Sequence, residues 1–142
     1  MKFLLDTDHL SILQRRSGSE FVALARRIAR QSPADLGLSV VSFHEQVLGC
    51  HGYINRARQQ ADVIRGYAML ERTLRSLSEV PLVPFDAGAS GWFDQLVGRR
   101  QRVATMDLRI AATAISRGMT LMTRNAGDFA KIEGLVTEDW TG

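Results

Sequence analysis

Residues 105–129 read TMDLRIAATAISRGMTLMTRNAGDF, one complete step of an alternating fold. Thr105 or Met106 is placed to cap a helix holding Ile110, Ala111, Ala112, Ala114 and Ile115, small residues that let a helix lie close to a sheet. Asp107 opens the helical stretch Leu108 to Arg117, where the helix dipole favours negative charge. Gly118 ends it, as a glycine just past a helix commonly does. Met119 to Thr123 then reads as a short buried strand, and Asn125 to Ala130 as a short helix carrying Asp128.

The same alternation extends in both directions. Lys2 to Leu5 reads as a strand, and Thr7 to Arg15 as a helix stopped by Ser17-Gly18. Ser19 is a good N-cap for a helix from Glu20 to Arg30, with Phe21, Leu24, Ala25 and Ile28 on one face. A turn over 31–35 leads to a second strand, Leu36 to Val41. Ser42 begins a long helical region that breaks near Arg58-Gln59-Gln60. Its second part carries Val63, Tyr67, Leu70, Leu74 and Leu77 at helical spacing, a stripe to be buried inside the domain, against a second copy or against a partner. Pro81 to Phe85 is a third strand, placed near an edge by its two prolines. Asp86 to Arg99 is a helix, and Leu135-Val136 a last strand. Strands alternating with helices predict an α/β fold with a mostly parallel, helix-covered sheet.

At 142 residues the chain is expected to be one domain, 1–142. Its composition, 45% hydrophobic and 23% charged, is that of a globular protein. No apolar run reaches the roughly 18 residues that span a bilayer, and Met1-Lys2-Phe3-Leu4-Leu5-Asp6 stops too early for a signal peptide. The expected address is the cytoplasm. Cys50 stands alone, which excludes an internal disulfide and a cysteine-built zinc site. The net charge of +3 is carried mostly by arginine, since Lys2 and Lys131 are the only lysines. Clusters at Arg26-Arg27-Arg30, Arg56-Arg58 and Arg99-Arg100-Arg102 could line a polyanion path, although a genome rich in arginine codons explains them as well.

Four carboxylates, Asp6, Glu45, Asp107 and Asp128, each follow an apolar run where a helix is about to start. In an open α/β sheet, ligand sites lie beyond the carboxyl ends of the strands, so these acids would converge there. Converging carboxylates repel unless a cation lies between them, and Mg²⁺ or Mn²⁺ suits an all-oxygen set. Each acid also has a local explanation at a helix start. Asp6 and Asp8 could cap the first helix, and Asp128 could be a first-turn acid behind an Asn125 cap. Ser42-Phe43-His44-Glu45 matches the S-x-x-E capping box, and taken alone Glu45 is better explained by it. It is the joint placement of the four that favours a site. His9, His44 and His51 do not form a chelating set by spacing, and position 48 is Leu, which rules out H-E-x-x-H. Neither a P-loop nor a G-x-S-x-G elbow is present.

Taken in order, Leu5-Asp6-Thr7-Asp8, Ser42-Phe43-His44-Glu45 with Gly49, Met106-Asp107 leading into Ile110-Ala111-Ala112-Thr113-Ala114, and Thr123-Arg124-Asn125-Ala126-Gly127-Asp128-Phe129 resemble the PIN domain, and within it the VapC-type toxins. The resemblance implies a three-layer α/β/α fold and an Mg²⁺- or Mn²⁺-dependent endoribonuclease. It also implies a homodimer held inactive by a cognate antitoxin. It places the family's acidic set on Asp6, Glu45, Asp107 and Asp128, with Asn125 as an outer candidate. Thr7, Thr123 and Arg124 are candidates for contact with the scissile phosphate, and Asp8 for a supporting role. His44 and Gln46 depart from the more apolar or acidic neighbourhood usual beside the glutamate. Two rivals remain: a catalytically silent PIN-like module that binds RNA or protein, and a haloacid-dehalogenase-like phosphatase suggested by Leu4-Leu5-Asp6-Thr7-Asp8.

Overall fold

The computed structural model describes residues 1–76 and 79–142. Its elements run β1 (Phe3–Leu5), α1 (Thr7–Arg15), α2 (Ser19–Ala29), a 3₁₀ turn (Pro33–Asp35), β2 (Leu36–Ser39), α3 (Val40–Arg56) and α4 (Gln60–Ser76). They continue with β3 (Leu82–Val83), α5 (Ala87–Gly98), α6 (Thr105–Ser116), β4 (Thr120–Met122), α7 (Ala126–Phe129) and β5 (Thr137–Glu138). The strands form one sheet in the order β3-β2-β1-β4-β5. Every pairing is parallel, with Leu5 level with Leu38 on one side and Met122 on the other. The two-residue β3 is an edge strand, as its flanking prolines predict.

Successive strand residues point to opposite faces, and two cores follow from that alternation. Leu4 and Leu121 pack with Ala111, Ala112, Ala114 and Leu96 from α5 and α6. Leu5, Leu38 and Met122 pack with Leu10, Ile12, Leu24 and Trp140 on the other face. Helices on both faces of a parallel sheet make the expected three layers. The small residues of α6 are fully buried, which is what lets that helix lie close to the sheet.

Several boundaries differ from the sequence reading, each for a local reason. β2 stops at Ser39, whose hydroxyl accepts from the Val41 N–H, so α3 starts at Val40 rather than at Ser42. Ser42 therefore lies inside the first turn, its buried Oγ has no partner among the described residues, and there is no Ser42–Glu45 capping box. Ser19 is the first residue of α2 and not its cap, which is Gly18 at φ 96°. Ala104 precedes α6 without a side-chain cap, so neither Thr105 nor Met106 serves as one. The last strand is Thr137–Glu138, just beyond Leu135-Val136.

The α4 stripe does not bury as a stripe. Tyr67 and Leu74 are exposed, as is Ile64, while Gly66 and Thr73 face inward; Leu77 lies outside the described residues. A Cβ at position 66 would come 2.5 Å from Ile54 Cγ1, so the glycine is what brings α4 so close to α3. No helix among the described residues is long and apolar enough to cross a membrane.

Candidate active site

The strand order reverses between β1 and β4: from β1 it runs outward through β2 to β3, and β4 begins the other side. Beyond the carboxyl ends of two such strands lies the crevice where α/β folds bind ligands. Asp6 follows β1 directly into this crevice. Its N–H donates to Met122 O at 2.9 Å, and its side chain caps α1 by accepting from the Thr7 N–H at 2.8 Å. The other carboxylate oxygen accepts from the Thr123 hydroxyl at 2.7 Å across the crevice. The structural role and the site role thus coincide in Asp6: one oxygen caps, the other faces β4. Only 5% of the residue is exposed. Burial raises its pKa to about 6; the Thr123 and Thr7 donors pull against that, and the nearby charges of Asp8 and Asp107 push with it.

Asp8 is held differently. Its Oδ2 accepts from the Arg124 N–H at 2.9 Å and the Thr123 hydroxyl at 3.2 Å, and its Oδ1 lies 2.8 Å from His9 Nδ1. Burial opposes its ionisation, but the His9 contact and the other donors outweigh it and keep the pKa below the usual carboxylate value. Thr123, fully buried, also accepts from the Asn125 N–H at 3.0 Å, so it joins both aspartates to the β4–α7 turn.

Glu45 reaches the site from the second turn of α3 and accepts at Oε1 from the Thr7 hydroxyl at 2.9 Å. Thr7 is therefore an internal donor to the acidic group. Asp107 comes from the first turn of α6, and among the described residues its carboxylate has no hydrogen-bond or ion-pair partner. Its pKa is raised, first by burial and then by the charges of Glu45, Asp128 and Asp8. Asp128, in α7, accepts from the Asn125 amide at 3.2 Å and lies 3.6 Å from Lys131. Asn125 stands at the N-cap position but makes no side-chain cap bond; its amide goes to Asp128 instead. The Arg124 guanidinium is turned to Glu20 at 3.0 Å, and only its backbone serves the acidic cluster.

Asp6, Asp8, Glu45, Asp107 and Asp128 are thus electrostatic neighbours brought from β1–α1, α3, α6 and α7. They do not form a closed cage: among the described residues no three His, Cys, Asp or Glu side chains stand as a set ready to hold a metal ion. The donor set nevertheless fits Mg²⁺ or Mn²⁺. It is all oxygen, it carries surplus negative charge, and Asp107 has no partner of its own among the described residues. Mg²⁺ keeps several waters and is usually held by one or two carboxylates rather than by a full protein cage.

A groove of about 630 Å³ lies beside this cluster rather than on it. It runs between α1, α3 and α4, begins at Gln46 next to Glu45, and is lined by Arg15, Arg56, Arg72 and Tyr53. Arg56, from one of the clusters singled out in the sequence, therefore lines this groove. Arg27, from another, stacks over Trp140 and pairs with Glu138.

His9 is the contributor that sequence reasoning missed. The sequence kept it out of a chelating set and gave it no role; it is packed, fully buried, and Nε2 accepts from the Trp140 N–H at 3.1 Å. That partner is 131 residues away, and no local pattern signals it.

The family model for the PIN domain matches residues 3–135. The chain is 28% identical over 145 residues to a tRNA(fMet)-specific endonuclease VapC of Shigella flexneri, covering 99% of both. It is 26% identical over 142 residues to Ribonuclease VapC1 of Haemophilus influenzae strain R2866, again covering 99% of both. Among solved structures, a DNA-bound VapBC from Salmonella typhimurium superposes with a TM-score of 0.74 at 23% identity, covering 99% of this chain and 98% of that one.

Proposed function

The chain belongs to the PIN-domain family, and from that premise we propose that it is a divalent-metal-dependent endoribonuclease, the toxin of a toxin–antitoxin pair. The observation that carries this reading is the convergence of Asp6, Glu45, Asp107 and Asp128 at the crevice beyond β1 and β4, with Asp107 lacking a hydrogen-bond or ion-pair partner among the described residues. Family membership removes the haloacid-dehalogenase-like alternative. Against a silent binding module stands the surplus charge itself: burial and the neighbouring carboxylates oppose ionisation of Asp107, a cost set against the modest gain of an acid in the first turn of α6.

Asp6, Glu45, Asp107 and Asp128 would hold Mg²⁺ or Mn²⁺. When bound, such an ion supplies a water of lowered pKa and stabilises charge on the phosphoryl and leaving oxygens. The chain's own residues prepare the place. Thr123 holds Asp6 from the β4 side, and Thr7 holds Glu45 from α1, so neither carboxylate has to reorganise on binding. Asn125 holds Asp128 against the turn. The scissile phosphate lies over this cluster, and the Arg15, Arg56 and Arg72 groove takes flanking phosphates of the same strand. The reading carries two protein partners, a cognate antitoxin and a second copy of the chain.

The direct test is incubation of purified, partner-free protein with cellular RNA in Mg²⁺, Mn²⁺ or EDTA. Discrete fragments that require the metal support the nuclease. Intact RNA in both metals, from folded protein, moves the assignment to a binding module.

A further inference from the structure

His9 is fully buried and satisfied on both ring nitrogens. Because Nε2 accepts from the Trp140 N–H, the ring proton belongs on Nδ1, where it donates to Asp8 Oδ1 at 2.8 Å. Asp139 Oδ1, 3.8 Å from Nε2, is already taken by the Thr141 N–H at 2.9 Å and the Thr141 hydroxyl at 2.6 Å, so it does not compete. The Trp140 end of this link is itself fixed. Its indole is 1% exposed, lies edge-on to Phe3 at 4.8 Å, and has the Arg27 guanidinium 4.8 Å above it. At the other end Asp8 spends its second oxygen on the Arg124 N–H and the Thr123 hydroxyl. Those two residues begin the turn that carries Asn125 and Asp128.

We propose that His9 is a positioning residue: anchored by the Trp140 backbone, it fixes Asp8, and through Asp8 it fixes the β4–α7 turn that presents Thr123, Asn125 and Asp128 to the acidic crevice. Its effect on catalysis rests on the nuclease reading, but its effect on the turn does not. An ordinary packed histidine would also have its ring nitrogens bonded, but it would not need a carboxylate partner whose other oxygen holds the β4–α7 turn. The unbroken chain of donors and acceptors from the C-terminal segment to the turn distinguishes the two.

Two substitutions separate the bonds. His9→Asn retains an amide N–H near the Nδ1 position and gives up the acceptor for Trp140. His9→Gln retains an acceptor near Nε2 and gives up the donor to Asp8. Both leave a smaller side chain in the same buried space, so both lose packing. Amide hydrogen exchange of Arg124, Asn125 and Trp140 in metal-free protein is measured alongside kcat and KM for RNA cleavage. The expected result for His9→Gln is exchange at Arg124 faster by about tenfold, the scale of losing a hydrogen bond to a charged group. Its kcat falls by a similar factor while KM holds. For His9→Asn, Trp140 exchange accelerates while Arg124 and kcat stay within about threefold of the parent. If Arg124 loosens equally in both variants, in proportion to global stability, His9 is only a packing residue and the proposal is wrong. Should His9→Gln fail to fold, His9→Asn decides by the same contrast between Trp140 and Arg124. A parent protein that cuts no RNA would overturn the nuclease reading, while the exchange data would still decide the role of His9.

Discussion

Replacing Asp6 with Asn should stabilise the metal-free protein at neutral pH and do almost nothing to its stability near pH 4. The Asp6 carboxyl titrates at about 6 in the folded chain against an ordinary 3.8. Below pH 4 the proton is bound in folded and unfolded states alike, and the stabilisation of the protonated form is fully present. As pH rises through about 6, the folded carboxyl must ionise in a buried pocket beside Asp8 and Asp107, and that stability is lost. A displacement of about two units corresponds to about 3 kcal/mol at 1.36 kcal/mol per unit. Relaxation of the cluster makes that a ceiling, so a gain of about 1.5–3 kcal/mol is expected for Asp6→Asn at pH 7.5.

The hydrogen bonds permit the exchange. The side-chain carbonyl keeps the Thr7 N–H, and the new N–H₂ donates to Thr123 Oγ1, whose proton turns to Asp8 Oδ2, now 3.2 Å away. The assay is urea unfolding in EDTA at pH steps from 4.0 to 7.5, comparing midpoints at constant slope. The gap between variant and parent should open with pH. A gap that is flat with pH, or a variant weaker than the parent at pH 7.5, refutes the idea that Asp6 bears the cluster's electrostatic cost.

Thr123→Val removes a buried hydroxyl that serves Asp6, Asp8 and the Asn125 N–H, and should cost about 2–4 kcal/mol in urea melts. Mn²⁺ at about 100 times its dissociation constant should add about 2.7 kcal/mol to the parent's stability and nothing to Asp107→Asn; calorimetry showing equal gains in both would move the ion elsewhere. Arg56→Gln with Arg72→Gln should raise KM for RNA about 3–10-fold at low salt, with the difference shrinking as salt rises, and leave kcat unchanged. A fall in kcat instead would place the groove in the chemistry rather than in strand binding.

The layered sheet was legible because its signals are local. Apolar runs of strand length alternate with helical spacings, and Gly118 at φ 64° marks the end of α6 as its position suggests. The α3 start was not legible, since Ser39 and Ser42 are both good caps three residues apart. Which one wins is set by how far β2 pairs with β3, and the ladder ends with Ser39 opposite Val83. That choice also released Glu45 from the capping box to meet Thr7, a partner 38 residues distant. Asp6 was legible from its place directly after β1, whereas Glu45, Asp107 and Asp128 stand in helices and were legible only as acids near helix starts. Their support was hidden for one physical reason: Thr123 to Asp6 and Trp140 to His9 are bonds between opposite ends of the chain. In α4 the helical spacing reported the helix correctly, and of the burials it left open the one inside the domain does not hold for Tyr67 and Leu74.

Cleavage of RNA by the parent and by Asp107→Asn, each in Mg²⁺ and in EDTA, bears most directly on the central claim. Asp107 makes no side-chain hydrogen bond or ion pair among the described residues, so its substitution should leave a stable protein. The account predicts discrete metal-dependent fragments from the parent and a loss of at least about 100-fold in rate for the variant, the scale of removing one transition-state charge contact. Undiminished cleavage by folded Asp107→Asn, or cleavage that persists in EDTA, would contradict it.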